Sequence, residues 1–169
     1  MKHFLIPDLI CETVYRIPFS ECYEKGIRAI AFDIDNTLAS YDTPEPDEKL
    51  KDFLFSLRDT GFSIAFVSNN DDARVNRFNA SLGFFALPDS HKPLTGGLKR
   101  VMKEFGVEKK ELLMVGDQLL TDCLCARLAG VSVVTVPPIQ PVENRFFRFK
   151  RSIEKPFIRA YYKKRGKTK

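Results

Sequence analysis

A chain of 169 residues is the length of one domain, enough for a single sheet with flanking helices and too short for two independent cores. No apolar run approaches the roughly 20 residues of a membrane span, and the apolar stretch at residues 4–6 is too brief for a signal peptide, so the sequence predicts a cytoplasmic protein. The net charge of +5 hides a division: residues 143–169 hold eleven Lys or Arg against two Glu, while residues 1–142 hold sixteen basic and twenty acidic side chains.

In chain order, residues 4–19 carry irregular apolar residues broken by Pro7 and Pro18, and read as a lead-in packed on the body. A short helix closes at Gly26. Ala29, Ile30, Ala31 and Phe32 then form an apolar strand that ends abruptly in Asp33-Ile34-Asp35-Asn36-Thr37. Residues 47–60 predict a helix, with Leu50, Phe53, Leu54 and Leu57 on one face and Gly61 as its stop. The pattern repeats as a strand over 62–67, a helix over 71–82, a strand over 84–87 and a helix from about residue 94 to 105. It closes with a strand over 112–115, a helix over 121–128 and a strand over 131–136 before Pro137-Pro138. Strands alternating with helices at this spacing predict a mostly parallel sheet covered on both faces.

Right-handed crossovers place the carboxyl end of every such strand on one edge, where open α/β sheets bind ligands. Four polar clusters fall there: Asp33, Asp35 and Thr37; Ser68 and Asn69; Lys92; and Asp117 with Asp122. Each has a plain alternative. Ser68 and Asn69 would cap the helix that follows them, Lys92 would be a loop lysine, and Asp122 would be first-turn charge on a helix. Four clusters on a common edge argue instead for a site. Three carboxylates and a lysine form a hard oxygen-donor pocket suited to Mg²⁺ and a phosphoryl group. Cys11, Cys22, Cys123 and Cys125 lack metal-site spacing, and His3 and His91 lie far apart, which argues against zinc and for reduced, structural cysteines. No glycine-rich nucleotide loop is present.

These motifs, in this order, resemble the haloacid dehalogenase superfamily of phosphatases. Asp33-Ile34-Asp35-Asn36-Thr37-Leu38, Val67-Ser68-Asn69-Asn70, Lys92-Pro93 and Gly116-Asp117-Gln118-Leu119-Leu120-Thr121-Asp122 look like its subfamily III YqeG group, which is similar to the mitochondrial phosphatidylglycerophosphate phosphatases. The resemblance implies a three-layer αβα Rossmann-like fold over residues 1–142. It also implies an aspartyl-phosphate on Asp33, with Asp35 as the acid and then the base, and Lys92 as the third catalytic group. Mg²⁺ would be held by Asp33, the backbone carbonyl of Asp35, and Asp117. Ser68, Asn69, Lys92 and Thr37 would serve substrate binding, and Asp122 would orient its neighbours. The stretch Cys123-Leu124-Cys125-Ala126 departs from the small residues expected there, which bears on helix packing.

Superfamily members often carry an inserted cap, but about thirty residues separate Thr37 from Ser68 and about two dozen separate Ser68 from Lys92, leaving no room for one. An open site suits a large or surface-presented phosphate monoester. The tail over 143–169 places Phe146, Phe149, Ile153, Phe157 and Tyr161 at helical spacing among basic residues, with Pro156 expected to open a second short helix. Its aromatics would pack on the body, or the tail would lie on an anionic membrane, making the protein peripheral to it, or follow a nucleic-acid backbone. The leading expectation is a lipid phosphate such as phosphatidylglycerophosphate. Alternatives are a phosphatase for nucleic-acid ends or a soluble sugar phosphate, and a non-catalytic RNA- or ribosome-associated module.

Overall fold

A computed structural model describes residues 4–140 and 145–166. Six strands form one sheet: β1 (Leu9–Ile10), β2 (Ala29–Phe32), β3 (Ser63–Val67), β4 (Phe85–Leu87), β5 (Leu112–Gly116) and β6 (Ser132–Thr135). Their order is β1-β6-β5-β2-β3-β4, and every pairing is parallel. The chain runs outward from β2 through β3 to β4, then returns to β5 on the other side and runs outward again. The reversal lies between β2 and β5, and a crevice opens beyond the carboxyl ends of strands at such a point.

The helices are α1 (Phe19–Glu24), α2 (Glu48–Asp59), α3 (Asp72–Asn79), α4 (Gly96–Phe105), α5 (Leu124–Ala129) and α6 (Arg145–Lys164). Period-two alternation along the strands sorts the core into two sides. Ile30, Phe32, Ile64, Phe66, Leu113 and Val115 pack with α1, α2 and α3 through Phe19, Leu54, Val75 and Phe78. Ala29, Ala31, Ala65, Val67 and Met114 face α4 and α5 through Leu98, Val101, Cys125 and Ala126. The small residues on that second face let helices approach closely: a Cβ at Gly97 on α4 would stand 3.0 Å from Val67 Cγ1. The result is the expected three-layer α/β/α arrangement.

The structure corrects three local expectations. The lead-in contributes a strand, because Leu9 and Ile10 pair with Val134 and Thr135 at the sheet edge. Two residues are too few to show a period. The helix predicted over 121–128 begins with a π turn, Leu119–Cys123, in which the amides of Asp122 and Cys123 both donate to Gln118 O, at 3.0 and 3.2 Å. Pro156 lies inside α6 rather than opening a second helix. A proline inside a helix costs about 3 kcal/mol, and contacts on both sides of it offset that cost. Glu154 is buried, Phe157 and Ile158 pack against the second core side, and the Tyr161 hydroxyl accepts a hydrogen bond of 3.0 Å from Ile10 N. Phe149 and Ile153 remain exposed, so the aromatic stripe divides between body and solvent. The side chain of Phe146 lies outside the described residues.

Candidate active site

Asp33 directly follows β2, its amide donating to Val115 O at 2.9 Å. The chain then closes on itself. The amides of Thr37, Leu38 and Ala39 converge on Ile34 O, and Asn36 takes a left-handed conformation at φ 65°. This tight reversal brings the Thr37 hydroxyl under the carboxylates, where it donates to Asp33 Oδ2 at 3.0 Å with Asp117 Oδ1 3.5 Å away. Asp35 turns the other way. Arg74 Nε and Nη2 donate to its Oδ1 at 3.1 and 3.0 Å, and Asn70 Nδ2 donates to Oδ2 at 3.2 Å.

Neither Ser68 nor Asn69 caps the next helix, since Asp71 does so by accepting from Arg74 N at 2.8 Å. Ser68 directly follows β3 and lines the cavity. Asn69 instead clasps the backbone of Lys92, accepting from its N at 2.6 Å and donating to its O at 2.9 Å. Lys92 is thereby aimed inward and is no ordinary loop lysine. Its ammonium stands 2.6 Å from Asp33 Oδ1 and 2.7 Å from Asp122 Oδ1, with the side chain 2% exposed. The contact with Asp122 Oδ1 is an ion pair rather than an aligned hydrogen bond.

Asp117 follows β5 and Asp122 sits in the π turn, where its Oδ2 accepts from Gln118 N at 3.1 Å. Gly116 makes room for it: a Cβ there would lie 2.4 Å from Asp122 Cγ.

Three buried carboxylates, Asp33, Asp117 and Asp122, offer oxygen atoms within 4.8 Å of one another around a single ammonium group. The excess negative charge shows in the titration of the neighbours. Burial raises the Asp33 pKa to about 7, against the pull of Lys92 and with help from the charges of Asp122 and Asp35. Burial works against the charge on Lys92, yet Asp122 and Asp33 outweigh it and its pKa rises. The Tyr41 hydroxyl is pushed up to about 12 by burial and then by Asp33, Asp35, Asp117 and Asp122. A hard dication fits this oxygen donor set and its charge. The third carboxylate beside Asp33 and Asp117 is Asp122, and the side chain of Asp35 stands with Arg74 and Asn70.

Above this floor opens a cavity of about 240 Å³ lined by Asp33, Asp35, Ser68, Asn69 and Lys92, together with Tyr41, Asn70, Gln118 and Thr121. Thr37, Asp117 and Asp122 lie beneath, 1–2% exposed. The four cysteines are free, with Cys123 and Cys125 in the core and their thiol pKa values raised by burial, as inert structural residues.

A family model described as mitochondrial PGP phosphatase matches residues 1–140. The chain belongs to this family. The chain is similar to the "Probable phosphatase YqeG" of Bacillus subtilis, 28% identical over 97% of this chain and 95% of that protein. The chain is also 26% identical to the Phosphatidylglycerophosphate phosphatase 1, chloroplastic/mitochondrial, of Arabidopsis thaliana, over 96% of this chain and half of that protein. Among solved structures, a HAD family enzyme from Bacteroides thetaiotaomicron, crystallised with magnesium and inorganic phosphate, matches with a TM-score of 0.55 at 15% identity. That match covers 70% of this chain and 98% of the other, and shows the shared fold. The chain is thus a phosphatase of this family, with the fold of a HAD family enzyme.

Sequence reading missed Arg74 and Tyr41, and quoted Asn70, Gln118 and Thr121 within the motifs without giving them a role. Arg74 carried a faint signal: it lies one helical turn past Asn70, on the first turn of the helix that follows Ser68. Tyr41 had none, since it lies beyond Thr37 in a turn-rich segment without periodicity.

Proposed function

We propose that the protein is a Mg²⁺-dependent phosphomonoesterase acting on the terminal phosphate of a lipid head group such as phosphatidylglycerophosphate. The observation that carries this reading is the buried constellation of Asp33, Lys92, Asp117 and Asp122 at the reversal point of the sheet. Asp33 attacks phosphorus and the bond to the leaving oxygen breaks, while Asp35 hands that oxygen its proton. Asp35 then takes a proton from water, whose oxygen attacks the aspartyl-phosphate and releases inorganic phosphate with Asp33 restored. Arg74 and Asn70 hold the Asp35 carboxylate at the cavity wall. Lys92 and Ser68 receive phosphoryl oxygens. Asp33, the Asp35 carbonyl and Asp117 would hold Mg²⁺, which when bound offsets the charge of the carboxylates and the phosphoryl group.

Size and surface support the lipid assignment. A cavity of about 240 Å³ takes a phosphoryl group with a short polyol and leaves a larger substrate outside. Exposed apolar side chains occur beside the site, at Leu94 two residues from Lys92 and at Ile139, whose amide donates to Asn36 O, and again on α6 at Phe149 and Ile153. With the net +9 of residues 143–169, each basic residue adding about 1 kcal/mol near an anionic leaflet, they suit a peripheral membrane contact. Among the described residues no helix is long and apolar enough to cross a membrane. In this reading residues 1–142 carry the chemistry and residues 143–169 the surface contact.

The test is one panel: phosphatidylglycerophosphate in anionic vesicles, sugar phosphates and 5′- or 3′-phosphorylated oligonucleotides, each with Mg²⁺ and with EDTA. Preference for the vesicle substrate supports the proposal. Preference for oligonucleotides or sugar phosphates moves the substrate class, and no turnover of any ester with Mg²⁺ overturns the enzyme reading in favour of a binding module.

A further inference from the structure

The π turn Leu119–Cys123 carries Asp122 into the site, and its first backbone N–H groups need acceptors, as at any helix start. Gln118, at the capping position, supplies no side-chain hydrogen bond. Two carboxylates do so from opposite sides. Asp122 reaches back to accept from Gln118 N at 3.1 Å, and Glu154 on α6, thirty-four residues beyond Leu120, accepts from Leu120 N at 3.1 Å. Glu154 is 1% exposed, and a glutamate is buried to that degree only when its charge is well compensated. Among its partners is the backbone of the very turn whose Asp122 holds Lys92 at 2.7 Å, and Lys92 in turn holds Asp33 at 2.6 Å.

We infer that Glu154 is a positioning residue of the active site: through the Leu120 amide it fixes the π turn, and the turn fixes Asp122 and hence Lys92. Glu154 thus gives the tail helix one point of contact with the turn that carries Asp122. Phe157, Ile158 and Tyr161 seat the helix on the body, with the Tyr161 hydroxyl accepting from Ile10 N at 3.0 Å, and Glu154 makes the separate contact with the turn. This inference rests on the phosphatase reading for its catalytic consequence, although its structural content stands apart from it.

The experiment compares Glu154→Ala, Glu154→Gln and Tyr161→Phe in the full chain. It measures kcat on p-nitrophenyl phosphate, the Mg²⁺ concentration that gives half the maximal thermal shift, and deuterium uptake of a peptide covering residues 117–124. Glu154→Ala should lower kcat at least tenfold, raise the Mg²⁺ midpoint severalfold and speed exchange in that peptide. Glu154→Gln, which keeps an oxygen facing Leu120 N, should recover most of the loss. Tyr161→Phe loosens the same helix at its other anchor, so it should lower the melting temperature with kcat and Mg²⁺ midpoint unchanged. The inference is overturned if folded Glu154→Ala keeps kcat and Mg²⁺ midpoint within twofold of wild type, or if Tyr161→Phe reproduces its losses. Should Glu154→Ala fail to fold, Glu154→Asp, one methylene short of Leu120 N, is judged by the same criteria. If the wild type turns over no ester, the phosphatase reading fails, and exchange at 117–124 decides the role of Glu154 alone.

Discussion

At the carboxyl edge of the sheet, Asp33, Asp117 and Asp122 are buried around one lysine, whereas at the seam between α6 and the body the buried carboxylate of Glu154 accepts from a backbone amide. The first arrangement is overcharged. Burial, with the charges of Asp122 and Asp35, raises the proton affinity of Asp33, and a cation or a shared proton relieves the crowding. The second relieves a need that the fold itself creates, an unsatisfied N–H at the start of a helical turn. Charge left unbalanced marks where a ligand is meant to come, and charge spent on backbone marks scaffolding.

The sharpest way to break this comparison is to remove charge from the pocket. Asp33→Asn keeps the shape of the carboxylate but is a poor nucleophile, so turnover should fall by about 10³-fold or more while the protein stays folded. Hydrolysis within tenfold of wild type would remove Asp33 from its assigned role. Asp35→Asn should cost about 10²-fold on alkyl phosphates, and less on esters with good leaving groups, because proton donation matters less there. An equal loss across leaving groups would argue against acid catalysis by Asp35.

The same contrast explains what could be read from sequence. The pocket residues sit where apolar strands stop, and a strand of period two or a continuous apolar run is visible in one dimension; so are the glycines and prolines that punctuate it. Their companionship across the sheet follows from parallel topology alone. Asp122 had helix charge as its plain alternative because its partner, Lys92, lies thirty residues away, and only the family resemblance gave it an orienting role. On α6 the visible stripe misled. Phe149, Ile153, Phe157 and Tyr161 recur every four residues, and at about 100° per residue such a row drifts around the helix, so that Phe149 and Tyr161 stand about 120° apart. The face that docks is Glu154, Phe157, Ile158 and Tyr161, at i, i+3, i+4 and i+7, and it was obscured because its first member is charged.

Acid-base linkage gives a smaller but cleaner test. In the absence of metal, burial raises the Asp33 pKa from the ordinary 3.8 to about 7. Between those values the folded protein keeps a proton that the unfolded chain has released, so stability falls as pH rises through the window. In EDTA the melting temperature should therefore drop by several degrees from about pH 5 to about pH 8. Mg²⁺ should restore it most at the upper end, and Asp33→Asn should flatten the slope. A melting temperature that climbs across this window in EDTA, or a slope that Asp33→Asn leaves unchanged, would mean that the pocket is not overcharged.

The smallest expected effect concerns the half of α6 that faces away from the body. Deleting residues 143–169 would be uninformative about membrane contact, since it would also remove Glu154, Phe157, Ile158 and Tyr161, which belong to the fold. Phe149 and Ile153 are 63% and 39% exposed, so Phe149→Ser with Ile153→Ser spares the seam. Melting temperature and turnover of a soluble ester should stay at wild-type levels. Partial loss of two apolar side chains at a membrane surface is worth about 1 kcal/mol, so activity on phosphatidylglycerophosphate in anionic vesicles should fall about fivefold. Because the basic residues around them act through a screened field, raising salt from about 0.1 M to about 1 M shortens its reach from about 10 Å to about 3 Å and should weaken vesicle activity of both proteins. Equal activity of variant and wild type on vesicles at every salt concentration would leave the exposed face of α6 without a part in substrate capture.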